Sequence, residues 1–377
     1  MYLSDFAFTG SGYLQISTPL CKGLVDNGYE VFVVGLNYTG QEHNFPFKII
    51  PCRTFDEARA MITNLYQTDF ENIKTLIVAL DVPQQIMFLD LKTKFPELKY
   101  VCITPLENPP LTFSWAAPLM DADGVFFISE MGAQAARDAG VSHAEHIQIG
   151  VDENWKPPTE EERERMRKSM GVEDKFVILS VADNQERKNL WAALEMVAKL
   201  KQEGISNLKF FLITREHLQF GWRLRDLGTE LGINEELSIV ERGIPFEQLW
   251  MYYCIADVYL NTSKAEGLGY PLLEAMATKT PVLASETGAM PELLEDGRGY
   301  TIPIEYSFRD VWGNEERDMV DVEAGAKLLR KLMEEDLSPV TEKAYEYVKS
   351  RTWDIPVKQL TDKLEEIYGT NKEHEAD

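Results

Sequence analysis

The sequence contains no apolar run approaching the roughly 20 residues that a bilayer-spanning helix requires. Its opening, Met1-Tyr2-Leu3-Ser4-Asp5, shows no basic stretch leading into an apolar core. Neither a membrane span nor a secretory leader is predicted, and a cytoplasmic location is expected. Cysteine is scarce: Cys21, Cys52, Cys102 and Cys254 are four scattered residues with no Cys-x-x-Cys pair. That excludes a disulfide framework and a thiolate zinc site, leaving reduced, partly buried thiols. The five histidines, His43, His143, His146, His217 and His374, lack metal-ligand spacing, and no metal or other cofactor is expected. Positive charge is also in short supply. Lys and Arg number 38 against 62 Asp and Glu, a formal net charge of −24. A nucleic-acid binder needs a basic footprint to displace counterions, so that class is set aside. The same balance disfavours adhesion to anionic lipid and promotes solubility. Internal repeats and low-complexity tracts are missing as well.

What remains is a chain of 377 residues with 44% hydrophobic and 11% aromatic content, enough for two globular domains. Short β-branched or aromatic runs alternate with amphipathic stretches. In the first half, 31–36, 75–80, 100–103 and 125–128 read as strands covered on both faces, because they are almost continuously apolar. A shorter strand is expected at 2–5. Helices are predicted at 16–26, where Ile16, Leu20 and Leu24 recur four apart and Asn27-Gly28 ends the run, and at 56–68 and 131–139. In the second half, strands are predicted at 176–181, 210–214, 237–240, 258–261, 281–284 and 300–302. Helices are predicted there at 191–203, 223–231, 246–254 and 270–277, with a last one at 357–368. Strand–helix alternation implies parallel sheets with crossover helices, the doubly wound α/β class. Between the halves, Trp155-Lys156-Pro157-Pro158 and a charged run to Ser169 read as a linker. The expected organisation is a first domain over 1–152, a linker over 153–172, a second domain over 173–350, and a C-terminal helix with a frayed tail over 351–377. Two such domains leave a cleft between them, where ligands usually bind.

The strongest chemical signal is Glu266-Gly267-Leu268-Gly269-Tyr270-Pro271-Leu272-Leu273-Glu274. It follows a predicted strand and opens a helix whose first turn holds Pro271, a position where the missing N–H costs nothing. Gly267 and Gly269 allow close approach of backbone to a ligand. The N–H groups around Gly267 and Leu268, at a helix N-terminus, suit an anion. Glu274 lies about one turn into the helix, placed to accept hydrogen bonds from a ribose diol, as an acidic residue does in dinucleotide folds. A second constellation, Asp183-Asn184-Gln185-Glu186-Arg187-Lys188-Asn189, joins a strand end to a helix. Near the N-terminus, Gly10-Ser11-Gly12 follows the first short strand, a weak signal in isolation. Asp121-Ala122-Asp123 matches a metal-binding Asp-x-Asp pattern, yet it ends a helix before a buried strand and reads as a turn.

Taken together, Glu266–Glu274 with Ala275-Met276-Ala277 and Pro281-Val282-Leu283-Ala284 closely resembles the donor-binding motif of retaining GT-B glycosyltransferases of family four (glycosyl transferases group 1). Gly150-Val151-Asp152, Ala256-Asp257-Val258 and Met290–Gly297 are similar to further segments of that family, and Thr104–Trp115 to a stretch found in a subset of it. The similarity extends over residues 1 to about 368 and is loosest in the first hundred. It implies two Rossmann-like domains facing across a cleft, with the C-terminal helix packing back on the N-terminal, acceptor-side domain. It implies a nucleoside-diphosphate sugar as co-substrate, retention of configuration, and no metal. Lys188 fits the family's diphosphate-binding lysine, whereas Asp183 stands where the family has an arginine. Arg187 is the candidate replacement for that cation. Glu266 would hold sugar hydroxyls and Glu274 the ribose, while Gly10 and Gly12 resemble the glycine loop that faces the ligands. Glu107 is the nearest titratable group in the acceptor-side segment 104–108 and so a candidate there.

The expected activity is transfer of a sugar, of the hexosyltransferase type, to an acceptor that is a glycan, lipid, protein or small molecule. Asp183 keeps open an alternative: a catalytically weak nucleotide-sugar-binding protein or partner subunit. An epimerase or phosphorylase on the same architecture would need, respectively, no acceptor or inorganic phosphate. An NAD-linked enzyme is disfavoured because Gln15 occupies the last glycine position of Gly-x-Gly-x-x-Gly.

Overall fold

The computed structural model describes residues 1–8, 11–69, 72–311 and 313–369. The chain divides into two compact units. One comprises Met1–Gly150 together with the chain from Arg351 onward, and the other Val151–Ser350.

The first unit begins β1 (Tyr2–Asp5), α1 (Gly12–Asp26), β2 (Phe32–Leu36), β3 (Lys48–Cys52), α2 (Phe55–Thr68), β4 (Thr75–Ala79) and α3 (Val82–Lys94). It continues through β5 (Lys99–Thr104), α4 (Phe113–Leu119), β6 (Gly124–Phe127), α5 (Glu130–Asp138) and β7 (Ala144–His146). Seven parallel strands lie in the order β3-β2-β1-β4-β5-β6-β7. The order reverses between β1 and β4, the switch point of a doubly wound sheet. Edge placement explains why β3 tolerates Pro51, which a central strand would not. Helix starts follow their caps: the Thr54 hydroxyl accepts from the Glu57 N–H at 3.1 Å and that of Ser129 from the Gly132 N–H at 3.2 Å.

The second unit runs α6 (Glu160–Ser169), β8 (Phe176–Val181), α7 (Leu190–Gln202), β9 (Leu208–Thr214), α8 (Leu224–Glu230), β10 (Leu237–Glu241) and α9 (Phe246–Ile255). Then come β11 (Val258–Asn261), α10 (Tyr270–Ala277), β12 (Val282–Ser285), α11 (Met290–Leu294) and β13 (Tyr300–Ile302). A hairpin of β14 (Ile304–Arg309) and β15 (Glu316–Val320) precedes α12 (Val322–Leu332) and α13 (Ser338–Lys349). Six parallel strands are ordered β10-β9-β8-β11-β12-β13, with the reversal between β8 and β11. Every strand that the sequence analysis placed in this half is present; the antiparallel hairpin was not foreseen. The charged segment read as part of a linker forms α6, started by a Thr159–Glu162 capping box. Arg163 and Arg167 tie α6 to Asp257 at 2.7 and 3.0 Å, and this segment lies within the second unit.

Helix α14 (Asp354–Tyr368) returns to the first unit, as the resemblance implied. The Gln359 side chain donates to the His146 carbonyl at 2.9 Å and accepts from the Gln148 N–H at 3.0 Å. Lys363 pairs with Glu145 at 2.5 Å, and the Tyr368 and Thr75 hydroxyls meet at 2.6 Å. Against α1 the approach is close because Gly23 has no side chain: a Cβ there would lie 2.2 Å from a Val357 methyl. Gly23→Ala is expected to lower Tm, since overpacking costs about 1–3 kcal/mol against a helix-propensity gain of about 1 kcal/mol. Adding Val357→Ala should recover part of the loss in a thermal melt; an unchanged Tm in the single variant would refute the contact.

Candidate functional site

The site is built on the carboxyl ends of β8 and β11, where the second sheet reverses its strand order and a doubly wound fold binds its ligands. Two connections meet there: residues 182–189 between β8 and α7, and 262–269 between β11 and α10. Both end in a residue with left-handed backbone. Gly269 has φ 78° and caps α10, with Pro271 just inside the helix; Asn189 has φ 48° and caps α7. Glycine pays no steric penalty there, and Asn is among the few side chains that tolerate the region. The connections are stitched by backbone: the Lys264 N–H donates to the Arg187 carbonyl at 2.8 Å. The Thr262 hydroxyl donates to the Asn189 carbonyl at 2.9 Å.

Three of the predicted residues converge. Lys188 Nζ donates to Glu266 Oε2 at 2.5 Å, and Arg187 Nη1 lies 3.5 Å from the same oxygen. Arg187 Nη1 also donates to the Ala265 carbonyl at 2.6 Å, and the Ser263 hydroxyl to Glu266 Oε2 at 3.2 Å. The side chains of Lys188 and Glu266 are 15% and 13% exposed, so the pair is reachable but largely shielded from water. Burial pushes the Glu266 carboxyl upward, yet the Lys188 and Arg187 charges outweigh it and hold the group below the ordinary glutamate range. Gly267 and Leu268 follow in the same loop, both buried.

Glu274 lies in α10 and is 2% exposed. One of its oxygens accepts from the Tyr253 hydroxyl of α9 at 2.6 Å, so the carboxylate expected at a ribose is held in place by a buried phenol. Burial first, and the Glu274 charge second, push the Tyr253 hydroxyl well above its usual range, which keeps it a donor. Gly12 begins α1 in the first unit; Gly10 lies outside the described residues. Glu107, beyond β5 in that unit, is near Tyr13, whose hydroxyl donates to Asp81 at 2.5 Å. Asp123 of the Asp-x-Asp triplet pairs with Lys92 at 2.7 Å and accepts from the Tyr100 N–H at 2.8 Å, as a turn residue between helix and strand.

Asp183 is engaged in a way the sequence analysis did not reach. It is 8% exposed and accepts from Arg215 Nε at 2.7 Å, with Arg242 Nη1 at 3.0 Å. Burial raises the Asp183 carboxyl, but the two guanidinium groups prevail and set it below the usual aspartate range. The available signal was the acid itself: a carboxylate at an expected cation position calls for compensating cations at neighbouring strand ends. A second omission is the hairpin. Its Asp318 N–H donates to the Lys264 carbonyl at 2.8 Å, and the Asp318 carboxylate accepts from Thr287 and Ser307. The hairpin thus braces the loop that carries Glu266.

Because Asp183 and Glu266 both have folded-state pKa values below their ordinary ones, the unfolded chain binds more protons as pH falls. Their contribution is therefore complete above pH of about 5 and is lost as pH drops through the depressed values. Urea titrations at pH 7, 5 and 3.5 should show a steep loss in the last interval. For Asp183→Asn the loss should be shallower, and an identical slope would contradict the assignment.

Among the described residues no group of three or more His, Cys, Asp or Glu side chains is arranged to hold a metal ion. No helix among them is long and apolar enough to cross a membrane.

Two doubly wound parallel-sheet units of this kind make up the GT-B fold. Residues 162–307, the stretch that holds Lys188, Glu266 and Glu274, match the family of glycosyl transferases group 1. The chain is 30% identical over 191 residues to a GDP-mannose-dependent alpha-(1-6)-phosphatidylinositol monomannoside mannosyltransferase of Mycolicibacterium smegmatis, covering 48% of this chain and 49% of that one. It is 26% identical to a sulfoquinovosyl transferase of Arabidopsis thaliana, covering 79% of this chain and 61% of the relative. The chain spans about half the length of the first curated relatives it matches. Among solved structures, Anabaena HepE in complex with UDP-glucose superposes with a TM-score of 0.75 at 15% identity, covering 97% and 98% of the two chains. That likeness is one of fold.

Proposed function

We propose that this protein is a glycosyltransferase that moves a sugar from a nucleoside-diphosphate sugar to an acceptor, with retention of configuration and without a metal ion. The observation that carries the reading is the meeting of Lys188, Arg187 and Glu266 at the switch point of the second sheet. Glycosyl transfer passes through an oxocarbenium-like transition state while negative charge grows on the departing diphosphate. Fixed cations at that charge stabilise the transition state without reorganising. Lys188 and Arg187 fill that role, together with the backbone N–H groups around Gly267 and Leu268. Glu266, held between them, is placed to accept from the sugar hydroxyls, and Glu274 from the ribose. The cations that neutralise the diphosphate do here what a divalent ion does in metal-dependent transferases. The donor phosphate itself assists removal of the acceptor proton on the same face.

A relative described as GDP-mannose-dependent, and a fold neighbour crystallised with UDP-glucose, define the donors to try first. Purified protein is incubated with UDP-, GDP- and ADP-sugars, and release of nucleoside diphosphate is followed with and without EDTA. Release from one donor, unaffected by chelator, is the expected result. Binding without any release would make the protein a nucleotide-sugar-binding module, and loss of turnover with EDTA would overturn the metal-free mechanism.

A further inference from the structure

The carboxylate of Asp183 gathers two arginines from neighbouring strand ends. Arg215 follows β9 and Arg242 follows β10, while Asp183 sits on the same connection as Arg187 and Lys188. The three residues thus lie on adjacent loops at the carboxyl edge of β8, β9 and β10, the edge at which doubly wound sheets receive ligands. Cations and carboxylates are paired along this edge. Asp183 holds Arg215 and Arg242, Glu266 holds Lys188 and Arg187, and Glu186 holds Lys264. These pairings bring five cations to three carboxylates. Exposed Glu241 accepts from the Glu216 N–H at 3.4 Å, and Glu216 itself is paired with Arg225 at 2.6 Å.

Asp183 accepts from Arg215 Nε at 2.7 Å and lies 3.0 Å from Arg242 Nη1. Arg215 and Arg242 side chains are 48% and 27% exposed, whereas that of Asp183 is 10% exposed. The acid is the buried anchor and the arginines are the presented groups. A guanidinium fixed in orientation is suited to phosphate, because its planar fork donates two parallel bonds.

We infer that Asp183 is a positioning residue that sets Arg215 and Arg242 as a second phosphate-binding element, extending the one formed by Lys188 and Arg187 along the donor's diphosphate. This rests on the nucleotide-sugar reading above. It assigns the charge reversal at 183 a purpose: the cation is relocated to two neighbouring strands and steered from beneath by the acid.

The test turns on a sign. If charge alone mattered, Asp183→Asn would remove a negative group and tighten anion binding. If Asp183 orients the arginines, the same change weakens it. Calorimetric titrations of wild type, Asp183→Asn, Arg242→Gln and Arg242→Lys use UDP and GDP as probes, with uridine and guanosine as phosphate-free controls. Expected are a loss of about tenfold or more in diphosphate affinity for Asp183→Asn and Arg242→Gln, nucleoside affinity within twofold, and partial recovery in Arg242→Lys. Arg242→Gln should also flatten the dependence of log Kd on log salt, as loss of a phosphate contact does. Tighter or unchanged diphosphate binding in Asp183→Asn overturns the inference, as does equal weakening of nucleoside and diphosphate. Should Asp183→Asn not fold, Arg242→Gln decides by the same criteria. If wild type binds neither diphosphate, the nucleotide-sugar reading fails and this one with it; if it binds and the variants do not discriminate, this one fails alone.

Discussion

Replacing Lys188 with Ala is expected to lower kcat by about 10²–10³-fold, the cost of removing one preorganised donor from a developing anion, with a much smaller change in donor KM. The ammonium lies 2.5 Å from Glu266 and is 15% exposed, so its charge acts where water screens it little. In the resting protein it neutralises Glu266. In the proposed mechanism it would meet a growing negative charge on the leaving diphosphate as the sugar–phosphate bond breaks, an interaction made more strongly in the transition state than before it. Arg187, at 3.5 Å from the same carboxylate, keeps Glu266 from being stranded without a cation, so the variant should fold. Lys188→Arg should recover part of the rate by restoring charge with different geometry. Steady-state kinetics with the best donor of the panel, beside a melting curve for each variant, decides the matter. Wild-type turnover in Lys188→Ala would remove the residue from the mechanism.

The second large effect is expected at Glu274. Hydrogen bonds to a charged group contribute about 1.5–3 kcal/mol, so Glu274→Ala should raise the donor KM by roughly 10–100-fold. Because the ribose is remote from the reacting bond, kcat should fall less. Tyr253 supplies a finer test. Its hydroxyl fixes one Glu274 oxygen at 2.6 Å inside a fully buried environment. Tyr253→Phe removes that bond while keeping the ring, and should raise KM by a smaller factor than Glu274→Ala. Equal donor affinity in wild type and Glu274→Ala would show that the carboxylate serves the fold alone.

Legibility in the sequence followed locality. Strands buried on both faces announce themselves as short apolar runs, and β8 through β13 all lie where such runs were read. Phe55–Thr68 is marked by its Thr54 cap and first-turn acids. β3 was harder, because Lys48-Ile49-Ile50-Pro51-Cys52 carries a proline that only an edge position permits. Ala144–His146 has three residues, too few to establish a period. In the β14–β15 hairpin, five of the six residues of β14 are solvent-accessible, so its hydrophobic pattern is weak. Contacts with the 262–269 connection, above all through Asp318, fasten it to the rest of the unit.

By itself the sequence determined the doubly wound class, because alternating buried strands and amphipathic helices leave little other architecture. It also determined that Glu266–Glu274 forms a strand–loop–helix turn, because glycine, proline and helix-end chemistry act over a few residues. Only the tertiary structure decided which groups share a carboxylate. Lys188 and Glu266 are 78 positions apart, and meet because β8 and β11 are adjacent in the sheet. Arg215 and Arg242 reach Asp183 because β9 and β10 continue that sheet on its other side. Side-chain pairing across strand ends depends on sheet order, a property of the folded chain that no short window of residues contains.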